Sequence, residues 1–319
     1  MQSKSRKIAV LGTGNVGASI AYTLTLQGIC SELVLVDINK EKAEGEALDL
    51  IQCSACVPGI KIYSGEYCDV AGADIVIVTF GMARKADQTR LDLAKVNVNI
   101  LTSVMPTVAK YAPNALYIIV SNPVDVMTYA TIKCTGLPVN QVIGTGTLLD
   151  SNRLSQAVAS YCGVATESVN SYVLGEHGDA CMAPWSLCTI GGLPVKEYCT
   201  KFLGESEDKL NDKLAEIYTG MVKSGSKVIK AKGATFYAIA ASTVQLVKAI
   251  LSDSNAILPL STMLNGEYGA KDMCMGVPCL VNANGLNKIV ELPLTSEEQK
   301  LFEEKIASLN NTYNALEIR

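Results

Sequence analysis

Six residues, Gly12-Thr13-Gly14-Asn15-Val16-Gly17, restrict this chain more than any other stretch. They follow an apolar run at residues 8–11 and open a segment of helical period that ends near Gly28. A strand, a glycine-rich turn and a helix in that order form a dinucleotide cradle. Gly12 permits the tight turn, Gly14 lets backbone approach a pyrophosphate, and Gly17 lets helix and strand pack closely, so the helix N-terminus faces the phosphates. A second strand, residues 33–36, ends on Asp37. A carboxylate there accepts hydrogen bonds from the adenosine ribose hydroxyls and repels a 2′-phosphate, so the expected cofactor is NAD rather than NADP.

The rest of the first half continues the alternation. Residues 39–50 read as a helix, and 60–63, 75–79, 116–120 and 142–143 as further strands. A long helix runs through Tyr111, carrying Pro106 inside it. The run at 75–79 is almost wholly β-branched, as a strand buried on both faces should be. The fold expected is α/β, a doubly wound parallel sheet. After about residue 148 helical periods dominate, with Gly-Gly-Leu-Pro at 191–194 turning between short strands. The last helix is capped by Thr295 or Ser296, with Glu298 or Gln299 completing a capping box. Phe302, Ile306, Leu309, Tyr313 and Leu316 then recur at helical spacing. The division expected is 1–147 and 148–319.

With 319 residues the chain suits two domains. A net charge of −4, without basic runs, argues against nucleic acid and anionic membrane as partners. Eleven irregularly spaced cysteines fit free thiols in a reducing cytoplasm better than a disulfide framework. Cys53 and Cys56 form one C-x-x-C with no second pair, so no metal is expected. Residues 233–247 are apolar but shorter than a bilayer span and read as a buried helix.

The only histidine, His177, stands in Gly-Glu-His-Gly-Asp. Glycines on both sides give it a backbone tight enough to approach a ligand. Asp150 and Arg153 share a helix face upstream, and Asn122 follows the fifth strand, where open α/β sheets bind ligands. Oxidising a secondary alcohol needs a base for the hydroxyl proton while hydride leaves, and imidazole titrates in the useful range. A carboxylate on its other nitrogen fixes the tautomer. An arginine fork holds a substrate carboxylate, and a second arginine polarises the carbonyl.

These stretches, with TRLDL at 89–93, SNPVD at 121–125 and GTGTLLDSNR at 144–153, resemble the L-lactate/malate dehydrogenase family over essentially the whole length. The resemblance implies a Rossmann domain followed by a mixed α+β substrate domain. It makes His177 the acid/base, Asp150 its orienting partner and Arg153 the binder of the substrate carboxylate. Arg90 lies on a closing loop and polarises the carbonyl, and Asn122 bonds near the substrate oxygen. Cofactor contacts are implied at Val16, Asp37, Lys42, Tyr67, Gly81, Met82, Ser103, Val120, Asn122 and Thr145, besides the glycines. A small 2-oxo or 2-hydroxy acid is the implied substrate, and a homotetramer or homodimer the implied assembly.

Two departures bear on specificity and regulation. Arg84 stands where lactate enzymes usually carry glutamine and malate enzymes arginine; it favours the second carboxylate of oxaloacetate. Gln88 to Asp92 and Thr235 follow the lactate pattern, and Asp87 is placed to draw Arg84 out of the pocket. The expectation is L-lactate dehydrogenase, with malate or mixed 2-hydroxy-acid specificity as the alternative. The arginine and histidine with which many bacterial lactate enzymes bind fructose 1,6-bisphosphate are replaced by Ser155 and Asn170, so no activation by that sugar phosphate is expected. An NAD-dependent glycosidase would want metal ligands that the sequence does not offer, and a binding protein without chemistry would not need the set Arg90, Asp150, Arg153 and His177.

Overall fold

The computed structural model describes residues 6–57, 59–82, 89–178, 180–316 and 318. The N-terminal half alternates β1 (Lys7–Leu11), α1 (Asn15–Leu26), β2 (Glu32–Val36), α2 (Lys40–Gln52), β3 (Lys61–Ser64), β4 (Ile75–Val78), α3 (Arg90–Tyr111), β5 (Leu116–Ile119), α4 (Val124–Thr135) and β6 (Val142–Gly144). The six strands pair in parallel in the order β3-β2-β1-β4-β5-β6. The order reverses between β1 and β4, so the crevice that binds ligands in such sheets opens beyond Leu11 and Val78. Both strands are buried almost end to end, as their unbroken apolar runs predict. Pro106 does not interrupt α3.

The C-terminal half contains α5 (Leu148–Cys162), β7 (Val169–Asn170), β8 (Leu174–Gly175), β9 (Cys181–Met182), β10 (Thr189–Ile190), β11 (Leu193–Pro194), α6 (Val195–Tyr198), α7 (Glu207–Lys232), α8 (Tyr237–Leu251), β12 (Ala256–Asn265), β13 (Lys271–Asn282), β14 (Gly285–Ile289) and α9 (Ser296–Leu316). Helices make up most of the regular structure here, as expected, but the strands are not all short. β12 and β13 form a long antiparallel hairpin that extends the main sheet, with Ser261 of β12 paired to Gly144 of β6. Sequence reading passed over it because most of both strands is buried, which erases alternation, and because Pro259 and Pro278 face each other across the ladder. The helix expected from residue 233 starts at Tyr237; Gly233, at φ +85°, instead ends α7.

One large core runs along the sheet through both halves, and a smaller cluster around Leu154, Val158, Leu210 and Leu214 packs α5 on α7. α9 buries Phe302, Ile306, Leu309, Tyr313 and Leu316, the five positions its period picks out. Thr295 and Glu298 exchange the two bonds of the expected capping box. All eleven thiols are free. No helix among the described residues is long and apolar enough to cross a membrane.

Candidate active site

The cradle at the end of β1 is built by close backbone approach. Gly12 sits at φ +96°, and a Cβ there would lie 2.7 Å from the Phe80 nitrogen. A Cβ on Gly17 would run into the carbonyl oxygen of Gly12, with Thr79 Oγ1 at 2.8 Å. By contrast, nothing lies within 4 Å of the Cβ position of exposed Gly14, which begins α1 without a side-chain cap. The N-terminus of α1 is therefore open on the side where a pyrophosphate would be received, and these residues fit a dinucleotide.

Asp37 is locked beside the cradle. Its Oδ2 accepts the Thr13 N–H (2.6 Å) and the Thr13 hydroxyl (3.0 Å), and its Oδ1 accepts the Asn39 N–H (2.9 Å). Burial pushes its carboxyl up, but these bonds and the charge of Lys42 outweigh burial and hold it below the usual range. The same carboxylate, after burial, helps to raise the phenol of Tyr67, so Asp37, Lys42 and Tyr67 form one neighbourhood. Val16 is half-buried, and Val120 and Thr145 are buried at the ends of β5 and β6. Gly81 and Met82 are exposed at the mouth of the crevice. Ser103 lies exposed on α3 with its hydroxyl turned onto the Ile100 carbonyl (2.7 Å).

His177 lies between Gly175 and Gly178, both at positive φ (+104° and +117°). Its Nδ1 is 2.6 Å from Asp150 Oδ2, and Arg153 Nη1 donates to Asp150 Oδ1 at 3.2 Å. Asp150 stands in the first turn of α5, so Arg153 follows on the same face. Thr147 donates to the Val173 carbonyl (2.5 Å) and Ser151 accepts the Val173 N–H (2.8 Å), tying α5 to the segment that leads into β8 and His177. Burial works against both charges. It lowers the imidazole, but Asp150's charge and hydrogen bond more than restore it, leaving His177 above its ordinary value. It raises the carboxyl, but His177 and then Arg153 bring Asp150 below its own. Side-chain exposure is 24% for His177 and 19% for Arg153 against 5% for Asp150, so a solute reaches the imidazole and the guanidinium but not the carboxylate between them. Arg153 also borders a cavity of about 290 Å³ between α5 and α7.

Asn122, exposed, is joined to Pro123 by a cis peptide bond. Its carbonyl accepts from Asn97 Nδ2 at 2.8 Å, while Asn97 Oδ1 accepts the Met82 N–H at 2.8 Å. Buried Asn97 thereby clamps the start of the 81–89 segment to the end of β5. Sequence reading missed it; only an amide on the buried face of α3 signalled it. It also missed Asp125, whose carboxylate receives the His177 N–H, although that residue closes the SNPVD stretch. Thr235 is half-buried between α7 and α8. Arg84 and Asp87 lie outside the described residues, as does the side chain of Arg90, whose backbone opens α3.

A dinucleotide cradle on one side of the sheet and an imidazole–carboxylate pair with a guanidinium beside it define an NAD-dependent oxidoreductase. Residues 6–144 match the lactate/malate dehydrogenase NAD-binding domain, and residues 147–317 match the family's alpha/beta C-terminal domain. The chain belongs to the lactate/malate dehydrogenase family. It is 43% identical to L-lactate dehydrogenase 1 of Clostridium acetobutylicum over 313 residues, 98% of this chain and 99% of that protein. It is 41% identical to an L-lactate dehydrogenase of Thermoanaerobacter pseudethanolicus, again over 98% of this chain and 99% of the relative. The ligand-bound crystal structure of minor L-lactate dehydrogenase from Enterococcus mundtii superposes with a TM-score of 0.92 at 41% identity, covering 97% of this chain and 98% of that one.

Proposed function

We propose that this protein is an L-lactate dehydrogenase, interconverting pyruvate and L-lactate with NADH and NAD. The observation that carries the reading is the 2.6 Å contact of His177 Nδ1 with buried Asp150. It commits that nitrogen to the carboxylate and turns the ring's other nitrogen, Nε2, to the substrate as donor or acceptor. Bound NADH supplies the hydride to the carbonyl carbon. His177 gives the Nε2 proton to the carbonyl oxygen, and Asp150 stays ionised to stabilise the imidazolium until that transfer. Arg153, fixed through one nitrogen by Asp150, offers its remaining donors to the substrate carboxylate. Arg90 polarises the carbonyl, Asn122 bonds near its oxygen, and Thr235 lines the pocket. Gly12, Gly14, Val16, Gly17, Asp37, Lys42, Tyr67, Gly81, Met82, Ser103, Val120, Asn122 and Thr145 hold the cofactor.

The proposal extends to a division at residues 147/148, a homotetramer or homodimer, and a cytoplasmic location. It also includes no activation by fructose 1,6-bisphosphate. Neither candidate position supplies a cation there: Ser155 bonds Ser171 (2.8 Å), and Asn170 is exposed on β7.

Arg84 supports a second reading, malate dehydrogenase, because a guanidinium facing the second carboxylate of oxaloacetate gains a charge-assisted pair. The two are separated by kcat/KM for pyruvate and for oxaloacetate with NADH. Pyruvate is expected ahead by tenfold or more, about 1.4 kcal/mol of transition-state preference. Oxaloacetate ahead by that factor assigns the chain to malate instead.

A further inference from the structure

Asp125 is a buried acid that the mechanism above does not use. It lies in the first turn of α4 and is 1% exposed. Its Oδ2 accepts the main-chain N–H of His177 at 2.9 Å, and its Oδ1 accepts the hydroxyl of fully buried Ser261, on β12, at 2.6 Å. Behind it, the Tyr313 hydroxyl of α9 lies 3.1 Å from the Asp125 carbonyl and 3.0 Å from that of Cys274 on β13, and accepts the Cys274 N–H at 3.2 Å. Two segments of the C-terminal half thus converge on one carboxylate of the N-terminal half, and that carboxylate holds the backbone of the reactive histidine. A buried acid is costly unless its oxygens are hydrogen-bonded, and both oxygens of Asp125 are.

We propose that Asp125 is the positioning residue of the acid–base histidine: seated on Ser261, its carboxylate anchors the His177 main chain so that the ring meets Asp150 on one side and substrate on the other. This rests on the dehydrogenase reading above. Asp150 holds His177 by the ring and Asp125 holds it by the backbone, so the imidazole is fixed at two points on a loop flanked by glycines. The groups facing Asp125 are Ser261 from β12, His177 and, farther, Asp150 from α5, with the Cys274 thiol and Tyr313 phenol held neutral by burial. Burial raises the Asp125 carboxyl to about 6, against the Ser261 and His177 bonds that lower it. Above that pH its negative charge adds to Asp150's in favouring the imidazolium.

Asparagine separates anchoring from charge. Its amide oxygen can accept the His177 N–H while its NH2 donates to a reversed Ser261 hydroxyl, keeping both bonds without the charge. Because His177 is the only histidine, isotope-labelled histidine gives one imidazole titration by NMR, with no substrate present. Wild type is expected to titrate above 6.5, and Asp125→Asn lower than wild type by about half a pH unit or more. Asp125→Asn is also expected to lose about tenfold in kcat with KM for pyruvate and NADH affinity little changed, and Asp125→Ala to lose more. Ser261→Ala, which keeps the charge and frees one oxygen, should fall between wild type and Asp125→Ala in kcat; it carries the anchoring test if Asp125→Ala does not fold. An imidazole midpoint and a kcat both at wild-type values in Ser261→Ala and, where it folds, in Asp125→Ala overturn the proposal. A wild-type protein inert toward pyruvate and oxaloacetate overturns the dehydrogenase reading, while the NMR midpoint still decides on Asp125.

Discussion

His177 Nδ1 and Asp150 Oδ2 lie 2.6 Å apart, although the two residues come from a glycine-flanked loop and the first turn of α5. The contact draws their titrations apart. His177 is raised from 6.5, so what its protonation adds to stability is full below that pH and is lost as pH rises through the folded value. Asp150 is lowered from 3.8, so its contribution is present above that pH and is lost as pH falls through its folded value. The pair is an ion pair in the intervening range, where an imidazolium is available to protonate a carbonyl.

The pH dependence follows from that direction. Pyruvate reduction needs the imidazolium, so kcat/KM should be level at low pH and fall through a midpoint above 6.5. Lactate oxidation needs neutral imidazole and should rise with pH in the same region. Asp150→Asn removes the raising charge and should shift both midpoints downward. Steady-state profiles in the two directions check this; a wild-type midpoint at or below 6.5 contradicts the coupling.

His177→Asn tests the chemistry without touching the cradle. NADH binding, followed by nicotinamide fluorescence, should stay within about twofold, while turnover should fall by roughly 10²–10⁴, the range for a lost general acid–base. Substantial residual turnover would mean that another group carries the proton.

What the sequence made legible was whatever is local. The cradle is six contiguous residues, Asp37 ends the next strand, and Asp150 and Arg153 share a helix face, so spacing alone places them. The α9 core positions were legible because a half-buried helix keeps its period. The β12–β13 hairpin was not, because strands buried on both faces lose alternation and carry prolines that read as breakers. Asn97 and Asp125 were illegible as site residues because each acts on backbone far away in the chain, 25 residues for the Asn97–Asn122 bond and 52 for the Asp125–His177 bond. A hydrogen bond to a main-chain N–H leaves no trace in the identity of its partner.

Gly14 and Gly17 stand one helical turn apart in sequence and should part company on substitution. A methyl on Gly17 overlaps the Gly12 carbonyl, which is backbone and cannot swing away. Gly17→Ala should therefore cost about 1–3 kcal/mol of overpacking and lower Tm. Gly14→Ala meets no atom within 4 Å and sits at φ −68°, which alanine tolerates, so its Tm should match wild type. Its methyl instead projects where the pyrophosphate is received, and NADH affinity should drop by about tenfold or more. Thermal melts with and without NADH separate the two effects; equal melts for both variants would contradict the packing argument.

Asp37→Ser tests how the chain chooses its coenzyme. The carboxylate carries the charge that opposes a 2′-phosphate, but it also receives the Thr13 N–H and hydroxyl and the Asn39 N–H. Removing it loosens the cradle for either coenzyme, so absolute activity should fall with both NADH and NADPH. The informative quantity is the ratio of their kcat/KM values, in which the shared loss cancels and only the term at the 2′ position remains. That ratio should move toward NADPH by tenfold or more, about 1.4 kcal/mol. An unmoved ratio with both activities reduced would mean that Asp37 serves the turn at Thr13 and that selection against the 2′-phosphate is made by other groups.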